Sequence, residues 1–140
     1  MIRKEFVCKS TPQAVSRLTK NVAAYLQTWI QDAEVIFDLR LALSEACTNV
    51  VLHAYANQRN EEFTVRLNIW PGKKITIELK DRGTPFYGPK QAITECDPYD
   101  EHGRGLFIIS KIMDSFVYDH SQGYNTLSLE RYIQEHAWKE

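Results

Sequence analysis

The stretch that most constrains this chain is 62–80. Residues 62–70 (EFTVRLNIW) alternate polar with apolar side chains, with Phe63, Val65, Leu67 and Ile69 on one face. Residues 74–80 (KITIELK) alternate again, with Ile75, Ile77 and Leu79 inward, and Pro71-Gly72 between the two runs marks a turn. Successive side chains of a strand point to opposite faces, so this is a hairpin with one apolar and one polar face. An apolar sheet face has to be covered by another layer.

The flanking sequence supplies the cover. Thr11-Pro12 reads as an N-cap followed by proline at the first helical position. Val15, Leu18, Val22, Leu26 and Trp29 then recur at spacings of three and four, which is one face of a helix. A second helix is expected from about Val35 to about Tyr55, its buried stripe formed by Leu39, Leu43, Ala46 and Val50. Residues 2–9 (IRKEFVCK) read as a short edge strand. Residues 81–103 hold three prolines, three glycines and several acids and read as a long loop, a feature that is usually functional in a compact domain. A helix restarts near Gly105-Leu106 and runs to about Met113. Strands near 115–120 and 125–132, joined through Ser121-Gln122-Gly123, form a second hairpin ahead of a polar tail. The order predicts a two-layer α/β (α+β) sandwich: a mixed, mostly antiparallel sheet with helices on one face.

Length and composition narrow the class. A chain of 140 residues with 44% hydrophobic residues fits a single packed domain, 1–140. A net charge of -1 argues against broad binding to nucleic acid or to anionic membrane. No stretch is long and apolar enough to span a bilayer, and the N-terminus (MIRKEFVCKS) lacks the pattern of a signal peptide. Cys8, Cys47 and Cys96 are odd in number with no C-x-x-C pair, which points to reduced thiols in a cytoplasmic protein.

Three clusters offer chemistry. Glu45 and Asn49 are four apart on the second helix and share a face, presenting a base and a neutral oxygen ligand to one spot; alone, such a pair also reads as a solvated face. His53 follows four residues on, where a structural role is the ordinary one. Asp81-Arg82-Gly83 closes the second hairpin strand. Its carboxylate can accept from a ligand amine and its glycine would admit a flat ring, though D-x-G is also a common turn. Gly103-Arg104-Gly105-Leu106 stands at the opening of the third helix, where exposed N–H groups favour an anion, or else marks a merely flexible loop.

The three clusters occur in a set order: E-x-x-x-N, then D-x-G, then G-x-G-L. That order resembles the N, G1 and G2 boxes of the GHKL ATPases, which share the Bergerat fold. The wording LSEACTNVVLHAY, IELKDRGTPF and HGRGLFIISKIMD is similar to the bacterial anti-sigma factor serine/threonine kinases of partner-switching systems, over about residues 5 to 132.

The resemblance implies a role for each residue. Glu45 is the general base that prepares a hydroxyl to attack the γ-phosphate of ATP, and Asn49 the ligand of Mg²⁺. Asp81 accepts from the adenine amine, with Gly83 beside the ring. Gly103, Gly105 and Leu106 lie at the lid near the phosphates, and Thr126 on a late strand near the adenine. It further implies a kinase that binds a sigma factor, phosphorylates a small antagonist protein and forms a homodimer. A switch kinase with a non-sigma target and a non-catalytic ATP-binding module are the alternatives. The chain departs from the pattern at Asp81-Arg82-Gly83-Thr84-Pro85, which lacks a second glycine and stiffens the lid's entry with proline.

Overall fold

The structure is a computed structural model that describes residues 1–85 and 101–140, with the side chains of 101–104 left out. The elements are β1 (Ile2–Lys9), α1 (Pro12–Leu26), α2 (Ala33–Asn49), a π-helical turn (Val50–Ala54), β2 (Glu62–Trp70), β3 (Lys74–Asp81), α3 (Glu101–Ile112), β4 (Ser115–Ser121), β5 (Tyr124–Tyr132) and a 3₁₀ turn (Glu135–Ala137). The strands form one sheet in the order β1-β2-β3-β5-β4. Every described pairing in it is antiparallel. The helices cover one face, and the inward series Phe63, Val65, Leu67, Ile69, Ile75, Ile77 and Leu79 is buried against them as the alternation requires.

Local chemistry explains the helix starts. Thr11 Oγ1 accepts from the Ala14 N–H at 3.1 Å, with Pro12 at the first helical position. Asp32 Oδ1 caps α2 by accepting from the Glu34 N–H at 2.9 Å, so α2 begins two residues before the expected Val35. Trp29 falls beyond the end of α1, in the turn that leads to Ile30.

Three expectations are corrected. The second helix does not run regularly to Tyr55: the α-helix stops at Asn49 and continues as a π turn, whose wider ring is closed by the Tyr55 N–H on the Val50 carbonyl at 2.9 Å. That wider turn breaks the four-residue ridge on which His53 was placed. The third helix starts at Glu101, not near Gly105, so both glycines lie inside it. Helix packing tolerates the glycines that the sequence reading took as a boundary, at about 1 kcal/mol each. The tail is not simply polar. Ile133, Ala137 and Trp138 are buried, and Trp138 pairs with Ile30 in a strand-like bridge. Trp138 Nε1 also donates to the Ile133 carbonyl at 3.1 Å. Three apolar residues in so short a tail carry no periodicity, so only their docking on the α1–α2 link reveals them. Of the expected loop 81–103, Asp81 ends β3 and 101–103 belong to α3, while 86–100, Cys96 included, lie outside the described residues.

One junction holds the elements that bear the first two clusters. After the π turn, Tyr55 Oη donates to the Glu62 carbonyl at 2.8 Å and accepts from the Arg82 N–H at 2.9 Å, tying the start of β2 to the end of β3. The Thr84 N–H donates to the Ala54 carbonyl at 2.8 Å. A Cβ on Gly83 would stand 2.3 Å from that carbonyl oxygen and 2.5 Å from its carbon. Glycine is therefore demanded here by the backbone of the π turn. Gly83→Ala must push the π turn and the end of β3 apart, and should cost about 2–3 kcal/mol in urea unfolding. Gly72→Ala is the contrast: no atom lies within 4 Å of its would-be Cβ, and its φ of +80° is the only strain.

Candidate active site

Asp81 ends β3 as the fourth member of the inward series Ile75, Ile77, Leu79, Asp81, so the pleat delivers a carboxylate to the apolar face. It is buried, at 7% exposure. Above it opens a narrow cleft. Leu79 and Leu127 from the sheet, Tyr118 from β4, Ala46 and Val50 from the helical layer and Leu106 from α3 supply its apolar walls. Asp81, Asn49 and Asn125 are its polar groups. Its lining is apolar with one polar edge.

The carboxylate is held from two sides. Asp81 Oδ1 accepts from the Gly83 N–H and from Asn125 Nδ2, each at 2.8 Å. Asn125 Nδ2 also donates to the Gly83 carbonyl at 2.9 Å, and Asn125 Oδ1 faces His120 Nδ1 at 2.6 Å. Burial pushes the Asp81 pKa above its ordinary value, while the bonds from Asn125 and Gly83 and the charge of His120 pull the other way. Burial also raises the Tyr55 phenol, keeping it a neutral donor. The thiols of Cys8, raised to about 11, and Cys47 are buried and stay protonated, so neither is a nucleophile.

Glu45 and Asn49 stand half-buried on the last turns of α2, next to Ala46 and Val50 of the cleft wall. α3 crosses close over them. The Cβ that Gly105 lacks would lie 3.1 Å from Glu45 Oε2 and 3.4 Å from Asn49 Oδ1, so these two oxygens converge on one point beside the helix. Gly103 and Gly105 both lie in the N-terminal part of α3 as described. Thus Asn49, Asp81 and Leu106 line one cleft, with Glu45 and Gly105 beside Asn49 and Gly83 beside Asp81.

Thr126 does not join them. It pairs with Lys80 and Asp119 in the ladder, one residue out of phase with the cleft-lining Asn125 and Leu127, so its side chain belongs to the opposite face of the sheet. The place expected for Thr126 is taken by Asn125, which is 1% exposed and directly opposite Asp81 in the β3–β5 register. Sequence reasoning passed over Asn125, yet a signal was there: counting back by twos from Leu129 and Leu127 reaches it.

Known proteins share this fold and much of this sequence. The profile described as "Histidine kinase-like ATPase domain" matches residues 8–131. A relative named serine-protein kinase RsbW from Listeria innocua serovar 6a is 32% identical over 110 residues, covering 73% of this chain and 69% of its own. The Bacillus cereus (strain ATCC 10987 / NRS 248) protein of the same name is 30% identical over 141 aligned positions, covering 95% and 85%. Among solved structures, the RsbU and RsbW domains of a Mycobacterium tuberculosis protein share the fold with a TM-score of 0.67 at 18% identity, over 94% of this chain and 33% of that longer one. The SiaB–SiaC complex from Pseudomonas aeruginosa does so with a TM-score of 0.62 at 13% identity, over 93% and 89%. With a family profile spanning nearly its whole length, the chain belongs to the histidine kinase-like ATPase domain family.

Proposed function

We propose that this protein is an ATP-dependent serine/threonine protein kinase of a partner-switching system, an anti-sigma factor that phosphorylates a small antagonist protein. The observation that carries this reading is the cleft itself. One end is an apolar slot with a buried carboxylate at its base, and the other is the convergence of Glu45 and Asn49 beside α3. Relatives named serine-protein kinase supply the reaction class.

In this reading adenine enters between Leu79, Leu127, Tyr118 and Leu106, and its exocyclic amine donates to Asp81. The phosphates extend toward Asn49 and the N-terminal end of α3, where the helix dipole favours negative charge. Among the described residues no cluster of three or more His, Cys, Asp or Glu could hold a metal alone. A hard cation here would therefore rest on phosphate oxygens with the Asn49 carboxamide as its protein ligand, and the donor set fits Mg²⁺. Bound there, Mg²⁺ supplies neutralisation of phosphate charge. Glu45 takes the proton of a serine or threonine hydroxyl on the antagonist as that oxygen bonds to the γ-phosphorus. The bond from the γ-phosphorus to the bridging oxygen breaks, and ADP leaves. A sigma factor as the second partner, a homodimer and a cytoplasmic setting complete the proposal.

Asp81→Asn should uncouple stability from binding. The raised pKa of Asp81 means that the folded state holds its proton more tightly than the unfolded state. The associated stability is therefore present at low pH and lost as pH rises through the folded pKa. At pH 7 the ionised group is a burden, so Asp81→Asn should melt above the wild type without ligand, and this gap should shrink as the pH falls through the carboxylate range. The same substitution turns an NH₂ toward the adenine amine and should abolish the stabilisation by ATP, about 2.7 kcal/mol at one hundred times Kd in the wild type. A thermal-shift titration reads both effects.

Glu45→Gln should lower phosphate transfer to the cognate antagonist by about 10²–10⁴-fold with little change in nucleotide affinity. Asn49→Ala should weaken Mg-ATP binding and transfer together. Radiolabelled transfer run beside a binding titration separates the two. Wild-type transfer by Glu45→Gln rejects the base, and absence of transfer by the wild type leaves a binding module.

A further inference from the structure

Asn125 is a buried amide whose every hydrogen-bonding group is used in one direction. Its two N–H bonds go to Asp81 Oδ1 and to the Gly83 carbonyl, both acceptors. Those partners fix which end of the amide is nitrogen, so the oxygen must face His120, and His120 must donate from Nδ1. The chain of donors therefore runs from His120 on β4 through Asn125 on β5 to Asp81 on β3. Both described bonds to the carboxylate, from Asn125 and from the Gly83 N–H, fall on Oδ1. This leaves Oδ2 to accept from a ligand in the cleft.

We infer that Asn125 is the positioning residue that sets base selectivity, holding Asp81 rotated so that Oδ2 meets the amine of a 6-aminopurine and opposes the carbonyl of a 6-oxopurine. The inference rests on the reading that a purine nucleotide occupies this cleft with its six-position against Asp81. An ionised, fixed carboxylate is an acceptor only. It pairs with the amino group of ATP and opposes the carbonyl of ITP, which differs at that position. Without the Asn125 amide, the buried carboxyl loses its main side-chain donor, takes up a proton more readily and can then donate to a 6-oxo group. Asn125 would thus act through Asp81, not on the nucleotide.

The test measures dissociation constants of ATP and ITP for the wild type and for Asn125→Leu, which keeps the volume of the side chain without its donor. Asn125→Val, smaller and well suited to a strand, is the second variant should leucine overpack. Melting without nucleotide establishes that each is folded. The wild type should prefer ATP by about a hundredfold or more. In the variants ATP affinity should fall by about 10–100-fold, as for loss of a hydrogen bond to a charged group, while ITP affinity holds or improves, so the ratio collapses. A merely structural role would weaken both nucleotides alike. A folded variant that keeps the wild-type ratio overturns the inference and leaves the nucleotide reading standing. A wild type that binds ATP and ITP equally, or neither, overturns that reading and the inference with it.

Discussion

The arrangement depends on one close approach. Where α2 relaxes into its π turn, the Ala54 carbonyl meets the Thr84 N–H at 2.8 Å, and Gly83 packs so near that no side chain fits. Tyr55, one residue on, bridges the Glu62 carbonyl and the Arg82 N–H. This junction sets the distance between the helix that carries Glu45 and Asn49 and the strand that carries Asp81. Ala54 ends the helical segment, so its carbonyl has no partner within the helix, and the Thr84 N–H of the loop after β3 supplies one. The segment that presents it is a π turn, a geometry that recurs at functional sites.

The second constraint is electrostatic. A carboxylate at the base of an apolar cleft is unfavourable in isolation, and the fold retains it by surrounding Oδ1 with donors. The β3–β5 register supplies one of them, because it sets Asn125 opposite Asp81. The loop after β3 supplies the other through the Gly83 N–H. In the proposed reading, the same burial that raises the Asp81 pKa gives the adenine amine a water-poor partner, at some cost in stability.

α3 closes the arrangement from above. Leu106 is 3% exposed and contributes to the cleft wall, and Gly105 brings the helix backbone against Glu45 and Asn49. Any larger residue at 105 would crowd the two oxygens that the proposed chemistry needs. The glycine that resembles a lid glycine in sequence thus also has a packing reason, as Gly83 does.

The sequence by itself determined the sandwich. The period-two runs at 62–70 and 74–80 and the helical stripe from Val15 to Leu26 each name their buried face, because side-chain direction along a strand or helix is fixed by backbone geometry. It also determined the order of the three clusters, since residue type and spacing are local facts. The end of α2 was not legible, since nothing local in VVLHA distinguishes a π turn from an α-helix; the packing of Ala54 on Gly83 decided it. Nor was the burial of Trp138, which depends on the distant Ile30. The choice of Asn125 over Thr126 was decided by register. One residue along a strand reverses the face, and only the pairing of β3 with β5 says which of the two meets Asp81.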